Sequence, residues 1–169
     1  PAFAGVPALT LSDGTLMPQL ALNTAGLSAD ESERAVRLAA SLGVTHIDFH
    51  PGIERDGVAR VLTTSNQPKL FLTTKIRKAK PEDSPAAAAA AVRAQIDEDF
   101  AVLGVRSVDM LLLRDHPNCD VMAAQWSVLQ EAKAAGRCRS AGVINFCQGA
   151  LSCLLKARST TLTPSVNYF

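Results

Sequence analysis

The chain has 169 residues, 47% hydrophobic, 20% charged and 5% aromatic, and its 17 basic and 16 acidic residues leave a formal net charge of +1. This composition fits one folded domain over 1–169 and excludes a disordered or collagen-like chain. The balanced charge offers no basic face for nucleic acid, and no apolar run approaches the roughly 18–20 residues of a transmembrane segment.

Taken in chain order, the sequence alternates short aliphatic or β-branched runs with longer helical ones. "ALTLSDGTLMPQ" (8–19) carries Asp13-Gly14 between two short runs, a strong signal for a β-hairpin. A strand follows near Leu20–Asn23. Ser28 and Glu31 form a capping box for a helix with Ala35, Val36, Ala39 and Leu42 on one face, and Gly43 stops it. "VTHIDF" (44–49) is a strand, 57–62 a short helix, and "LFLTTKI" (70–76) another strand. Ser84-Pro85 reads as N-cap plus first-turn proline. The helix behind it runs through six alanines (86–91) and bears the stripe Val92, Ile96, Phe100 and Leu103. "VDMLLLR" (108–114) is a buried strand, 121–135 a helix ended by Gly136, 139–145 a strand, 149–157 a helix, and "PSVNYF" (164–169) begins a last strand.

A hairpin followed by five β-α units and a final strand is an α/β fold with parallel strands and right-handed crossovers. The turn "LALNTAGLSAD" lacks GxGxxG, which counts against a dinucleotide-binding open sheet. A (β/α)8 TIM-barrel type with an N-terminal β-hairpin fits better, with about six of its strands in this chain. Six strands leave open edges, so the barrel needs a C-terminal segment or a protein partner to close it.

Four cysteines, Cys119, Cys138, Cys147 and Cys153, form no CxxC pair, and the three histidines add no ligand spacing. We expect free thiols in a reducing compartment and no zinc site. Asp48 and Lys75 stand at the C-terminal ends of their strands, where barrels carry their chemistry. Both face inward if Ile47 and Thr74 face outward. A buried lysine and aspartate need one another, as a plain ion pair or as a lysine that tunes a neighbouring acid. His46-x-Asp48-x-His50 places three potential ligands on one strand face, the pattern of a metal-dependent hydrolase; no further ligand follows on later strands.

The segments "DGTLMPQLALNT", "GVTHIDF", "LFLTTKI", "SVDMLLLR", "EAKAAGRCRSAGVINF" and "PSVNYF", in this order, resemble the aldo-keto reductases. The resemblance implies a (β/α)8 barrel and hydride transfer between NADP(H) and a carbonyl or alcohol. In that family an aspartate and a lysine support a tyrosine acid/base while a histidine orients the carbonyl. Asp48 and Lys75 match the first two. Ile53 stands at the tyrosine's place and Arg114 at the histidine's, with His116 two residues beyond as the candidate. The family clamps the nicotinamide with a serine-asparagine pair and a glutamine. Here Asn145 is kept, Ile144 replaces the serine and Tyr168 the glutamine.

The expectation is therefore an aldo-keto-reductase-like barrel with an eroded site. It would serve as a non-catalytic or strongly impaired binding or structural subunit, within a larger assembly or beside the missing C-terminal segment. The alternative is an active NADP(H)-dependent oxidoreductase with displaced catalytic groups, and the minor one a metal-dependent hydrolase.

Overall fold

The computed structural model describes residues 6–64 and 68–169. The hairpin pairs β1 (Ala8–Thr10) with β2 (Leu16–Pro18) around Asp13-Gly14. There follow β3 (Ala21–Asn23), α1 (Ala29–Ser41), β4 (His46–Phe49), α2 (Ile53–Leu62), β5 (Phe71–Lys75), α3 (Pro85–Leu103), β6 (Val108–Arg114), α4 (Cys119–Ala134), β7 (Cys138–Ile144), α5 (Gln148–Lys156) and β8 (Asn167–Tyr168). Strands β3 to β8 form one six-stranded sheet in sequence order, and every pairing is parallel.

The helix limits follow the expected signals. Ser28 closes the capping box with Glu31. Ser84 accepts from the Ala87 amide ahead of Pro85, and Gly104 ends α3 in the left-handed region at φ 66°. Two elements differ from expectation. Helix α2 begins four residues early, at Ile53, because Gly52 turns the chain at φ 136° with no side-chain cap to mark the start. Strand β8 keeps only Asn167 and Tyr168 of the expected run.

Alternation along the strands divides the sheet into two faces. Ile47, Phe49, Leu72, Ile76, Leu111, Leu113, Ala141 and Val143 join the helices in the main core. The opposite face carries Phe71, Met110 and Leu112, with hairpin residues Leu11 and Met17 packed into the same cluster. The hairpin thus plugs the N-terminal end of the curled sheet. Gly57 lets α2 lie against α1, since a Cβ there would sit 2.6 Å from Ser32 Cβ and collide with the Ala29 carbonyl.

The expectation of four free thiols is corrected. Cys119, at the start of α4, is disulfide-bonded to Cys153 in α5, with their Cα atoms 5.8 Å apart; Cys138 and Cys147 are free. The pair lies 34 residues apart in sequence, and only the packing of α4 on α5 brings it together. Among the described residues no helix is long and apolar enough to cross a membrane.

Candidate active site

The register of β3, β4 and β5 sets Asn23 beside Asp48 and Asp48 beside Thr73. Lys75 lies one inward position further up β5. Its ammonium donates to Asp48 Oδ1, and Asn23 Nδ2 donates to Oδ2 at 2.7 Å. Both carboxylate oxygens are therefore engaged, while the ammonium of Lys75, a residue 1% exposed, has Asp48 as its one hydrogen-bond partner among the described residues. An ammonium has three N–H donors. Two of them have no hydrogen-bond partner among the described residues.

Burial lowers the Lys75 pKa from its ordinary value. Asp48 opposes that shift by charge and hydrogen bond, Arg114 adds to it by repulsion, and Glu54 counters it at longer range. Arg114 ends β6.

Backbone position at Lys75 is fixed from behind. Gln95 of α3 donates to the Lys75 carbonyl at 2.9 Å and to Asp99 Oδ2 at 3.0 Å, and its own oxygen accepts from the Arg77 amide at 2.7 Å. Arg55 of α2 ties in through Asp99 at 2.7 Å and Glu98 at 2.8 Å. These contacts couple α2 and α3 to the end of β5. The sequence reading passed over Gln95 and Asn23, both neutral residues whose partners lie on neighbouring elements.

The loop after β4 carries a second polar unit. Glu54, in the first turn of α2, accepts from the His50 amide at 3.0 Å and from His50 Nδ1 at 3.1 Å through one oxygen, and from the Gly26 amide at 2.7 Å through the other. Ile53, where the family tyrosine would be expected, opens α2 and is 61% exposed.

Other candidates sit apart from this pair. His116 is buried in the loop after β6, where Nε2 donates to the Lys80 carbonyl at 3.1 Å and Nδ1 accepts from the Asn118 amide at 3.0 Å. Both ring nitrogens thus hold the loop, and none of its hydrogen bonds joins Asp48 or Lys75. Tyr168 points into the apolar interior, its hydroxyl 3.3 Å from Met17 Sδ and 3.5 Å from His46 Nε2. Burial and the Asp48 charge push its pKa up to about 12. It makes no hydrogen bond to Lys75.

His46 donates from Nδ1 to the Pro18 carbonyl at 2.9 Å, which leaves Nε2 to accept from Thr73 at 2.8 Å. The HxDxH pattern therefore has its first imidazole committed on both nitrogens. No group of three or more metal-ligating side chains occurs among the described residues.

Asn145 follows β7 in the left-handed region at φ 59°, a conformation asparagine tolerates. Its amide donates to the Tyr168 carbonyl at 2.8 Å, and its exposed side chain makes no hydrogen bond to another described residue.

The layout has close relatives. A sequence model described as the Aldo/keto reductase family matches residues 15–168. An aldo-keto reductase of Mycobacterium leprae is 34% identical over 96% of this chain, and one of Mycobacterium tuberculosis 33% over 97%. The chain spans 56–57% of the length of these two relatives. The crystal structure of an aldo/keto reductase from Brucella melitensis superposes with a TM-score of 0.84 at 29% identity, covering 96% of this chain and 62% of that one. That of a Bombyx mori aldo-keto reductase in complex with NADP superposes with a TM-score of 0.77 at 26% identity, covering 96% and 57%. The family model covers nearly the whole chain and these structures superpose on it, so the chain belongs to the aldo/keto reductase family, and its curled sheet is part of that family's barrel.

Proposed function

We propose that this chain forms the N-terminal part of an NADP(H)-dependent oxidoreductase that reduces carbonyls, with Lys75 as the cationic seat of the substrate oxygen. The observation that carries this reading is the buried Lys75 ammonium. It is held on one side by Asp48, has two donors to spare, and stands at the C-terminal end of its strand. A donor fixed beside a developing alkoxide lowers the barrier because it needs no reorganisation when charge appears.

The residues at the nicotinamide end fit the cofactor in part. Asn145 offers an unengaged amide, able to donate to and accept from a carboxamide. Ile144 and Tyr168 supply an apolar wall rather than further hydrogen bonds. When bound, the dinucleotide would supply the hydride; the chain's own task is to orient the carbonyl and hold its oxygen. Closure of the barrel, by the rest of a longer chain or by a protein partner, would shield that centre from water.

A second reading is the eroded, non-catalytic barrel that binds without turnover. Ile53, exposed at the start of α2, favours it, because an alkyl group cannot pass a proton.

The test is NADPH consumption by the full-length protein against a panel of aldehydes. Turnover that falls to background in Lys75→Met supports the reductase. NADPH binding without turnover by the wild-type protein supports the second reading.

A further inference from the structure

We propose that His50, oriented by Glu54, supplies the proton that the absent tyrosine would have given, delivering it from Nε2 to the substrate oxygen. This rests on the reductase reading above and extends it to a residue the family pattern does not assign. Four observations support it. His50 lies one residue past β4 and two past Asp48, at the end of the sheet where Lys75 stands. Glu54 Oε2 grips both the His50 amide and Nδ1, while Oε1 holds the Gly26 amide of the loop after β3, so the imidazole is locked between two loops. A carboxylate on Nδ1 fixes the tautomer and leaves Nε2 to exchange a proton. Nε2 makes no hydrogen bond to another described residue, and the side chain is 27% exposed.

His50 differs in this from the other histidines. His46 and His116 are buried, with both nitrogens of each engaged. The dyad also lies within electrostatic reach of the ammonium, since the Glu54 charge acts on Lys75.

The balance is simple. His50 enters as imidazolium. The carbonyl carbon takes a hydride, two electrons, from the reduced nicotinamide dinucleotide, and the carbonyl oxygen takes the proton from Nε2. Alcohol, oxidised dinucleotide and neutral imidazole result; Nδ1–H stays on Glu54, and water reprotonates Nε2. Glu54 is a positioning residue here, acting through His50.

Two readouts on the full-length protein test this. Ethoxyformylation with diethyl pyrocarbonate, located by peptide mapping and reversed with hydroxylamine, is expected to mark His50 alone among the three histidines of residues 1–169 in the wild type, and neither His46 nor His116 in His50→Gln, without nucleotide present. Modification of another histidine instead would overturn the assignment. With the aldehyde that the protein reduces fastest, His50→Gln should lower kcat by roughly 10²–10⁴-fold at little change in KM, and added imidazole should partly restore His50→Ala. Glu54→Gln should lower kcat with KM kept. Wild-type turnover that survives in His50→Gln overturns this inference alone, whereas no turnover by the wild type overturns it together with the reductase reading.

Discussion

The two ends of the curled sheet treat their polar groups in opposite ways. At the N-terminal floor the polar side chains are paired within the protein. Asp13 accepts from Lys133 at 2.6 Å, Ser140 at 2.8 Å and the Thr15 amide at 3.1 Å. Asp109 accepts from the Leu72 amide at 2.8 Å and from Arg139 at 2.9 Å, and His46 spans Pro18 and Thr73. At the C-terminal mouth Lys75 keeps spare donors, and Nε2 of His50, the guanidinium of Arg114 and the side chain of Asn145 lack partners of this kind among the described residues. Buried polar groups are normally satisfied, so capacity left unused in one place marks where a ligand is expected. The floor pairs its polar groups within the fold, and on the proposed reading the mouth keeps its own for a ligand.

The sharpest break of that contrast is at the mouth. Lys75→Met leaves the Asp48 carboxylate buried with only Asn23, and removing one partner of a buried pair should cost about 3–5 kcal/mol by denaturant unfolding. The double variant Asp48→Asn/Lys75→Met neutralises both groups and should recover most of that loss. Linkage gives a further sign. Because burial lowers the Lys75 pKa below 10.5, the unfolded chain binds more protons in the window beneath that value. Wild-type stability should therefore rise with pH there, relative to the double variant.

At the floor the largest effect is expected from Asp13→Asn. Burial alone would raise this carboxyl, but hydrogen bonds from Lys133, Ser140 and Thr15 outweigh it and bring its pKa to about 2 from 3.8. That difference corresponds to about 2 kcal/mol. The contribution is complete above pH 3.8 and lost as pH falls towards 2. Acid titration of unfolding stability should show this loss in the wild type and not in Asp13→Asn, with turnover unchanged.

Between the helices, Gly57→Ala should lower stability by about 1–3 kcal/mol, since the Ala29 carbonyl and Ser32 give way only by moving α1 from α2. Thermal unfolding checks it. Smallest of all, Thr73→Val removes a donor to His46 Nε2 and should cost about 1 kcal/mol in stability, leaving turnover intact.

Much of this was legible in the residues. Asp13-Gly14 marked the hairpin, Ser28 with Glu31 and Ser84 with Pro85 marked helix starts, and strand-end position singled out Asp48 and Lys75. What escaped depends on contacts between elements. Asn23 matters only because the register sets it against Asp48. Gln95 matters because α3 packs behind β5, and Cys119 finds Cys153 only through α4 on α5. His50 was visible as part of HxDxH, yet its partner was not. The signal was there in the four-residue step from His50 to Glu54, which becomes a contact once α2 starts at Ile53 rather than at Gly57. His116, chosen for its nearness to the expected histidine position, turned inward to hold its own loop, because Lys80 and Asn118 supply partners there that a sequence cannot display.

The account is tested most directly by the turnover of Asp48→Asn/Lys75→Met in the full-length protein with NADPH and aldehyde, measured where thermal unfolding shows it folded. We predict melting close to that of the wild type and turnover at background. Aldehyde reduction at the wild-type rate by this variant would show that the mouth does its chemistry without the charged pair, and would contradict the account.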